Sequence, residues 1–140
     1  MPRPNDVGVG VALIVLNEKR EILLGKRKGA HRAGHWSVPG GWIDRPDQST
    51  LVTCQREALE EAGLTVHKAQ QFHWTTEDHP EIEARGVTLY HVSHDYQWAG
   101  VPKVMEPHKC EKWEWFPLSD LPEPLFPGLS EAVDVLLERD

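Results

Sequence analysis

The run from Arg56 to Leu64 is the feature that most constrains this chain, and it reads Arg-Glu-Ala-Leu-Glu-Glu-Ala-Gly-Leu. On an α-helix each residue turns about 100°, so Glu57, Glu60 and Glu61 share an arc of roughly 100° on one side of the helix. Clustered carboxylates repel one another, and Arg56 can satisfy Glu60 through its four-residue spacing but cannot satisfy all three glutamates. Because a hard divalent cation with oxygen ligands would relieve that repulsion, the run predicts a metal site.

A glutamate-rich helix face is usually just a solvated surface, but three features of the sequence favour a site. The opposite side of the helix carries an apolar stripe suited to a core, formed by Leu51, Cys54, Ala58 and Ala62. Gly63 follows directly as a helix terminator. Gly40 and Gly41 lie upstream in a flexible segment, where backbone carbonyls can bind metal and backbone amides can approach phosphate closely.

From Gly41 to Leu64 the sequence resembles the Nudix box of the MutT-type hydrolases. The half that begins at Arg56 matches this motif at every fixed position. In the first half, the glutamate of the motif falls on Asp47 when counted forward from Gly41 and on Gln48 when counted back from Arg56, so one residue is inserted. In the family this glutamate braces the box arginine. Asp47 could do so with a shorter reach, whereas Gln48 could only hydrogen-bond.

Other stretches resemble one nucleoside-triphosphate-cleaving branch of the family, which includes a dimeric diphosphatase that acts on thiopurine nucleotides. They are residues 25–29, 33–34, 106–111, 113–115 and 125–129. The resemblance covers nearly the whole chain from Val7 onward. It implies an α/β protein with the Nudix fold, a mixed-sheet α/β/α sandwich, as a single domain over residues 1–140. We expect residues 1–6 to be disordered.

The resemblance also implies a cofactor and a reaction. Mg²⁺, with Mn²⁺ as a substitute, would be bound by Glu57 and Glu61, by Glu60 and by the carbonyl of Gly40. The catalytic residues would be Glu60, Glu57 and Arg56, with Glu60 shared between metal binding and the role of general base. The reaction would be hydrolysis of a nucleoside triphosphate to a nucleoside monophosphate and pyrophosphate, for which charge neutralisation and an aligned water suffice.

The substrate-binding residues come from the same resemblance. Arg27 and Gly41 would bind phosphate, and the planar fork of a guanidinium can hold two phosphate oxygens at once. The base would be bordered by Phe126, Gly128 and Leu129. Each assignment has a structural alternative, because Arg27 lies in a basic cluster that could be a solvated hairpin edge, and Phe126 and Leu129 could be core residues.

Two other functions are open at this stage. The chain could hydrolyse ADP-ribose or another nucleoside diphosphate derivative. Alternatively, the altered first half of the Nudix box could mark a sensor that binds a nucleotide without cleaving it.

Composition and charge limit the classes of binding partner and the cellular compartment that we expect for this protein. The formal net charge is −7 and the sequence shows no basic stripe, so we expect no nucleic acid polymer as partner. No apolar stretch is long enough for a membrane span, and residues 1–4 do not begin a signal peptide. Cys54 and Cys110 do not make a disulfide framework, and we read Cys54 as a core residue. We therefore expect a cytoplasmic protein, with a homodimer implied by the resemblance.

Hydrophobic periodicity predicts the secondary structure. A helix should run from Ser49 or Thr50 to Ala62, and a second from Leu129 to Glu138 with Ser130 as its cap. Strands are predicted at 9–16, 22–26, 36–38, 66–75, 87–93 and 112–116. Loops are predicted at 29–34, 39–46 and 77–81.

Overall fold

The computed structural model describes residues 5–139. Over that range the chain folds into short and long strands with two α-helices and one 3₁₀ turn, Pro80–Ile82. The strands are β1 Val7–Val15, β2 Glu21–Arg27, β3 Trp36–Ser37, β4 Gly40–Trp42, β5 Thr65–Val66, β6 Gln70–His79, β7 Ala84–Ser93, β8 Trp98–Ala99 and β9 Cys110–Pro117. The helices are α1 Thr50–Ala62 and α2 Leu129–Glu138.

The strands form a mixed arrangement of sheets. The largest has the order β4-β1-β7-β6, in which β1 and β7 are parallel and the other neighbours are antiparallel. A second sheet has the order β3-β2-β9, and β5 pairs with β8. The parallel pair is possible because a long connection carrying α1 lies between β1 and β7 in the chain.

The two helices cover opposite faces of the strands, which is the sandwich that the sequence predicts. Successive side chains of a strand point to opposite faces. Along β1, Leu13 packs in the cluster that contains Ala58 of α1, and its neighbour Ile14 packs in the cluster that contains Val133 of α2. All four side chains are almost fully buried. The prediction of an α/β/α sandwich in a single domain is therefore confirmed.

The helix that carries the glutamates has defined ends. Ser49 is the N-cap, and its hydroxyl accepts a hydrogen bond from the backbone N–H of Val52 at 3.2 Å. Gly63 ends the helix in the left-handed conformation with φ 69°, where a residue without a Cβ is favoured. The predicted bounds and the terminator are confirmed. Cys54 is fully buried on the core face, as predicted, and burial raises the pKa of its thiol to about 12.

Two predicted loops are wrong because strand pairing extends into them. Within 39–46, residues Gly40–Trp42 pair with β1 as strand β4. Within 77–81, β6 continues to His79, since Thr75, Glu77 and His79 alternate inward while β6 pairs with β7. The predicted strand 66–75 is likewise two strands, β5 and β6.

Two smaller expectations concern the termini. Ser130 does not cap α2, because the helix begins one residue earlier and its N-cap is Gly128, which makes no side-chain capping bond. Of the residues expected to be disordered, 1–4 lie outside the described range. Asn5 and Asp6 make backbone hydrogen bonds with Glu83 and Arg85. Within residues 5–139, neither helix has the length and apolar character needed to cross a membrane.

Candidate active site

A cleft of about 630 Å³ opens beside the glutamate face of α1. Strands β1, β4 and β7 contribute to its lining, together with the three box glutamates and Arg27 at the end of β2. Phe126 and Leu129 contribute from the start of α2. The fold therefore brings residues that are up to about a hundred positions apart into one cavity, and that cavity is the candidate active site.

Glu57 and Glu61 form a close pair at the wall of this cleft. The side chain of Glu61 accepts a hydrogen bond from the backbone N–H of Gly40 at 3.0 Å, and the two carboxyl groups are hydrogen-bonded to each other. A Cβ added to Gly41 would lie 2.6 Å from the carboxyl carbon of Glu57. Glycine at 41 is therefore needed to let the Glu57 carboxylate approach the backbone of β4.

Burial is the main reason that both carboxyls hold a proton more tightly than usual. It raises the pKa of Glu61 well above its ordinary range, and the neighbouring Glu57 raises it further. Burial also raises the pKa of Glu57, although Arg56 acts in the opposite direction. Glu60 is different, since about half of its side chain is exposed at the edge of the cleft.

Arg56 is held by Asp47, which settles the ambiguity left by the sequence. Its Nη2 lies 2.8 Å from Oδ2 of Asp47 and its Nε lies 3.3 Å from Oδ1, so the pair is bidentate. Asp47 also accepts a hydrogen bond from the hydroxyl of Thr53. These hydrogen bonds, above all those from Arg56, hold the pKa of Asp47 well below its ordinary range. Gln48 is exposed instead.

Arg56 contacts two of the three glutamates, one more than its four-residue spacing alone indicates. Its Nη1 lies 2.8 Å from Glu57 and 3.5 Å from Glu60. Its Nη2 donates a hydrogen bond to the carbonyl of Trp42 at 3.2 Å, which ties the helix to the end of β4. The arginine therefore positions two box glutamates and a strand at once.

The glycine pair lies in regular β-strand rather than in a flexible entry. A Cβ on Gly40 would clash with the carbonyl oxygen of Val11, so glycine at 40 is required by the close approach of β4 to β1, whereas glycine at 41 is required by Glu57. The N–H of Gly40 points to Glu61, and both glycines line the cleft. The two glycines thus allow close packing around β4, and the N–H of Gly40 gives Glu61 a fixed hydrogen-bond donor.

Arg27 lies in the same cleft, at the end of β2. Its Nε–H donates to the carbonyl of His31 at 3.2 Å, and its guanidinium lies 5.0 Å from the ring centre of Phe126. Burial lowers the pKa of Arg27, although a guanidinium stays charged at any physiological pH. Its terminal amino groups carry four further N–H donors that suit an anion.

The three residues expected at the base have different surroundings. Phe126 is half-buried in the cleft wall. Leu129 is 1% exposed and belongs to the core, yet it also forms part of the wall. Gly128 is not among the described residues that line the cleft, and its Cα packs tightly against Thr75 and Tyr90. Leu129 therefore belongs both to the core and to the wall of the cleft.

Sequence reasoning missed several residues of the cleft. Thr88, Tyr90 and His79 form part of its lining from β6 and β7, and the buried carboxylate of Glu77 lies directly beneath Thr88. The spacing of Thr75, Glu77 and His79 at every second position is the available signal, whereas the polar composition of residues 77–81 predicts a loop. Two polar residues at period two inside a strand cannot be told from a loop by hydropathy alone.

Trp113 joins the cleft to the far end of α1. Its indole N–H donates to the backbone carbonyl of Glu61 at 3.1 Å, and its ring packs on Gly25, where an added Cβ would lie 2.8 Å away. Of the two further carboxylates in this segment, Glu106 lines the cleft whereas Glu111 pairs with Lys26 outside it.

Comparison with known proteins then decides the family. A model of the NUDIX domain matches residues 6–136 of this chain. The chain is a member of the Nudix family. The structure superposes on the crystal structure of a MutT NUDIX hydrolase from Burkholderia pseudomallei with a TM-score of 0.84 and 30% identity, covering 93% of this chain and 98% of the other.

Two Nudix relatives have named activities. A Mus musculus protein named oxidized purine nucleoside triphosphate hydrolase is 27% identical over 131 residues, covering 91% of this chain and 78% of that protein. A Bacillus subtilis (strain 168) protein, named provisionally as an 8-oxo-dGTP diphosphatase, is 46% identical over 54 residues, covering 39% of this chain but only 34% of that protein. The chain thus belongs to a family of hydrolases that act on small nucleotides.

The donor set of this Nudix site fits a divalent metal. Glu57 and Glu61 offer oxygen ligands, which Mg²⁺ and Mn²⁺ prefer, and the two half-buried side chains lie beside each other. Two neighbouring carboxyl groups repel each other when both are ionised, and a bound cation would relieve that repulsion. Glu60 and Glu106 face the same cleft and could complete the oxygen shell.

Proposed function

We propose that this Nudix hydrolase cleaves a nucleoside triphosphate to a nucleoside monophosphate and pyrophosphate, with Mg²⁺, or Mn²⁺ in its place. The observation that carries the proposal is the half-buried Glu57–Glu61 pair, held by Arg56 and Gly40 at the wall of a nucleotide-sized cleft. A bound divalent cation would neutralise phosphate charge and activate water. The overall balance is one triphosphate and one water giving one monophosphate and one pyrophosphate.

The residues at α1 would have separate roles in metal binding, proton transfer and positioning. Glu57 and Glu61 would hold the metal, together with Glu60 and the carbonyl of Gly40. Glu60 would also serve as general base, because its partly exposed carboxylate at the cleft edge can take a proton from the attacking water. Arg56 would act through the glutamates, by fixing their carboxylates in place.

The substrate would lie along the cleft from the glutamates towards α2. Arg27 would hold phosphate oxygens, since its guanidinium is fixed by His31 and Phe126 but keeps its terminal donors. The tightly packed Gly41 would let a phosphate come close to the backbone of β4. Phe126 and Leu129 would border the base, with the backbone at Gly128 behind them.

The intact brace favours an enzyme over a nucleotide sensor. Asp47 makes the bidentate contact with Arg56 that the box glutamate is expected to make, so the altered first half of the motif leaves the glutamates positioned. The NUDIX domain of Shewanella oneidensis NrtR, complexed with ADP ribose, superposes with a TM-score of 0.75 at 20% identity, which shows only the shared fold.

A product assay tests the proposal. Purified protein would be incubated with Mg²⁺ and standard, oxidised or thiopurine nucleoside triphosphates, and with ADP-ribose. We expect monophosphate and pyrophosphate from at least one triphosphate. Release of AMP from ADP-ribose alone would point to the other hydrolase, and tight binding without product would point to a sensor. Light scattering and cell fractionation test the homodimer and the cytoplasmic location, which are also proposals.

A further inference from the structure

The last turn of α1 is held by groups outside the helix. The final carbonyls of an α-helix have no partner within it, and a basic side chain near the end often compensates for them. The last turn of α1 contains no basic residue. Instead, the carbonyl of Ala62 accepts a hydrogen bond from the N–H of Lys103 at 2.9 Å, and the carbonyl of Glu61 accepts one from the indole N–H of Trp113 at 3.1 Å. Donors that are distant in sequence therefore fix the end of this helix.

Glu57 and Glu61 differ in how much they need this support. Glu57 lies one turn before Glu61, so its carbonyl belongs to the regular hydrogen-bond ladder of the helix. Glu61 is the second-last residue of α1, in the turn that frays most readily. Its carboxyl group accepts the N–H of Gly40, while its carbonyl accepts the indole N–H of Trp113. The side chain of Glu61 is thus fixed by β4, and its backbone is fixed by β9.

The ring of Trp113 is itself fixed by its neighbour on the adjacent strand. Trp113 lies opposite Gly25 in the register of β9 against β2. A Cβ added to Gly25 would lie 2.8 to 3.0 Å from three carbons of the indole ring. Glycine at 25 therefore lets the indole approach β2 closely. Because the indole is rigid, a ring fixed in this way also fixes the direction of its N–H.

The same carbonyl connects Glu61 to a further carboxyl group of the cleft. The backbone N–H of Met105 also donates to the carbonyl of Glu61, at 3.5 Å. The next residue, Glu106, lines the cleft together with Glu57 and Glu61. Movement of the last turn of α1 would therefore displace Glu61 and loosen the attachment of Glu106.

We propose that Trp113 is a positioning residue for the divalent metal, and that it acts by fixing Glu61 before the metal binds. The inference rests on the proposed metal site at Glu57 and Glu61, and it assigns a role to a residue outside the Nudix box. A ligand that is already held in place loses less conformational freedom on binding, so the affinity for metal is higher. Without the indole donor, metal binding would have to order the last turn of α1 as well.

Three variants test the role of Trp113. W113F keeps an aromatic ring but removes the N–H, and G25A keeps the indole but displaces it from β2. W98F is the matched control, because the indole N–H of Trp98 also donates to a backbone carbonyl, that of Leu16, at 2.9 Å. Both tryptophans pack against the same buried cluster, which includes the core face of α1. W98F therefore removes an equivalent hydrogen bond at a carbonyl that does not belong to α1.

Mn²⁺ binding by the nucleotide-free protein is the direct measurement, made from the paramagnetic resonance signal of free Mn²⁺. Loss of an outer partner of a metal ligand lowers affinity by about 10- to 100-fold, so we expect Kd to rise about tenfold in W113F and in G25A. W98F should bind Mn²⁺ within about twofold of wild type, although its thermal midpoint should fall by about 2 to 8 °C, as in W113F. Turnover of W113F should recover at high Mn²⁺, with kcat near the wild-type value, because Glu57 and Glu61 both remain.

The outcomes separate this inference from the proposed function. Equal Mn²⁺ affinities for W113F and W98F, or a loss of turnover in W113F that high Mn²⁺ does not restore, would overturn the role of Trp113 while hydrolysis by the wild type stands. If W113F does not fold, G25A decides by the same comparison with W98F. If the wild type binds Mn²⁺ but cleaves no triphosphate, the proposed function fails, and the Mn²⁺ affinities alone decide the role of Trp113. A wild type that binds no Mn²⁺ would overturn that role together with the metal site.

Discussion

Two clusters of metal-type side chains border the same cleft, and they differ in charge. At α1, Arg56 contacts four carboxylates, those of Asp44, Asp47, Glu57 and Glu60. One positive charge is thus shared among four negative ones, and the half-buried Glu61 beside them adds another carboxyl. This cluster has an excess of negative charge that a divalent cation can neutralise.

The second cluster joins the loop after β2 to the end of β6. Its members are His31, His79 and Glu81, whose potential ligand atoms lie within 4.8 Å of one another. Burial lowers the pKa of both imidazoles, so they are neutral near pH 7. Glu81 contacts His31 and lies 3.5 Å from Nε of Arg32. The charge of this cluster is therefore already balanced.

The comparison shows that residue type does not decide what a cluster binds. The carboxylate cluster keeps uncompensated charge and fits the metal role. The histidine cluster holds the loop that contains His31 against β6, and we call this cluster the histidine clasp. Because the carbonyl of His31 accepts the Nε–H of Arg27, the clasp also orients the proposed phosphate-binding arginine. Substitutions in the two clusters should therefore fail in different ways.

The largest effect is expected for E61Q. Removing one of the two proposed ligands in the Glu57–Glu61 pair should lower kcat/KM by about a thousandfold or more, because a catalytic metal supplies several kcal/mol of charge stabilisation. The measurement is steady-state turnover together with Mg²⁺ titration by calorimetry. E18Q, an exposed glutamate in the β1–β2 turn, is the control. Full activity in E61Q would contradict the assignment of the metal to this cluster.

D47N should have the next largest effect. The variant keeps the size of the side chain but removes the charge that fixes Arg56, and loss of such support lowers activity by about 10- to 100-fold. The neighbouring variant Q48A should retain wild-type turnover, since Gln48 is exposed. A larger loss in Q48A than in D47N would show that the brace is assigned to the wrong residue.

A substitution in the histidine clasp should change binding more than chemistry. H31Q weakens the contact with Glu81 and so loosens the loop that holds Arg27. We expect KM to rise by about two- to tenfold, the worth of one net hydrogen bond, with kcat nearly unchanged. Mg²⁺ affinity should not change, and H67Q, at an exposed histidine, serves as control. Equal losses of kcat in H31Q and E61Q would remove the distinction between the two clusters.

The smallest effect is expected on the stability of the metal-free protein. The folded pKa of Glu61 lies above its unfolded value, so the folded state binds the extra proton and stability falls as pH rises through the folded pKa. E61Q carries no such proton and should be less sensitive to pH, and more stable at neutral pH by about 1 kcal/mol or more. Thermal unfolding of both proteins, measured between pH 5 and pH 8 in about half-unit steps with and without Mg²⁺, tests this sign. A rise in the stability of the metal-free wild-type protein with rising pH would contradict this prediction.

The sequence determined the helix of the site, because its signals are local. The apolar stripe, the cap at Ser49 and the terminator Gly63 fix α1, and the helical spacing alone puts the three glutamates on one side. The placement of the two helices on opposite faces follows from the family resemblance, because periodicity alone indicates only a mixed α and β protein. These features depend on neighbours a few positions away, where hydropathy and capping preferences act directly.

The tertiary structure alone decided the rest of the cleft, because those contacts join residues distant in sequence. Counting along the motif allows either Asp47 or Gln48 to contact Arg56. The path of the chain before α1 brings Asp47 to the arginine. The contact between Glu77 and Thr88 depends on the register of β6 against β7, which the hydropathy of a polar segment does not specify. The charge of each cluster likewise depends on which guanidinium the fold brings beside it. Local pattern fixes the elements, and long-range pairing fixes which side chains meet.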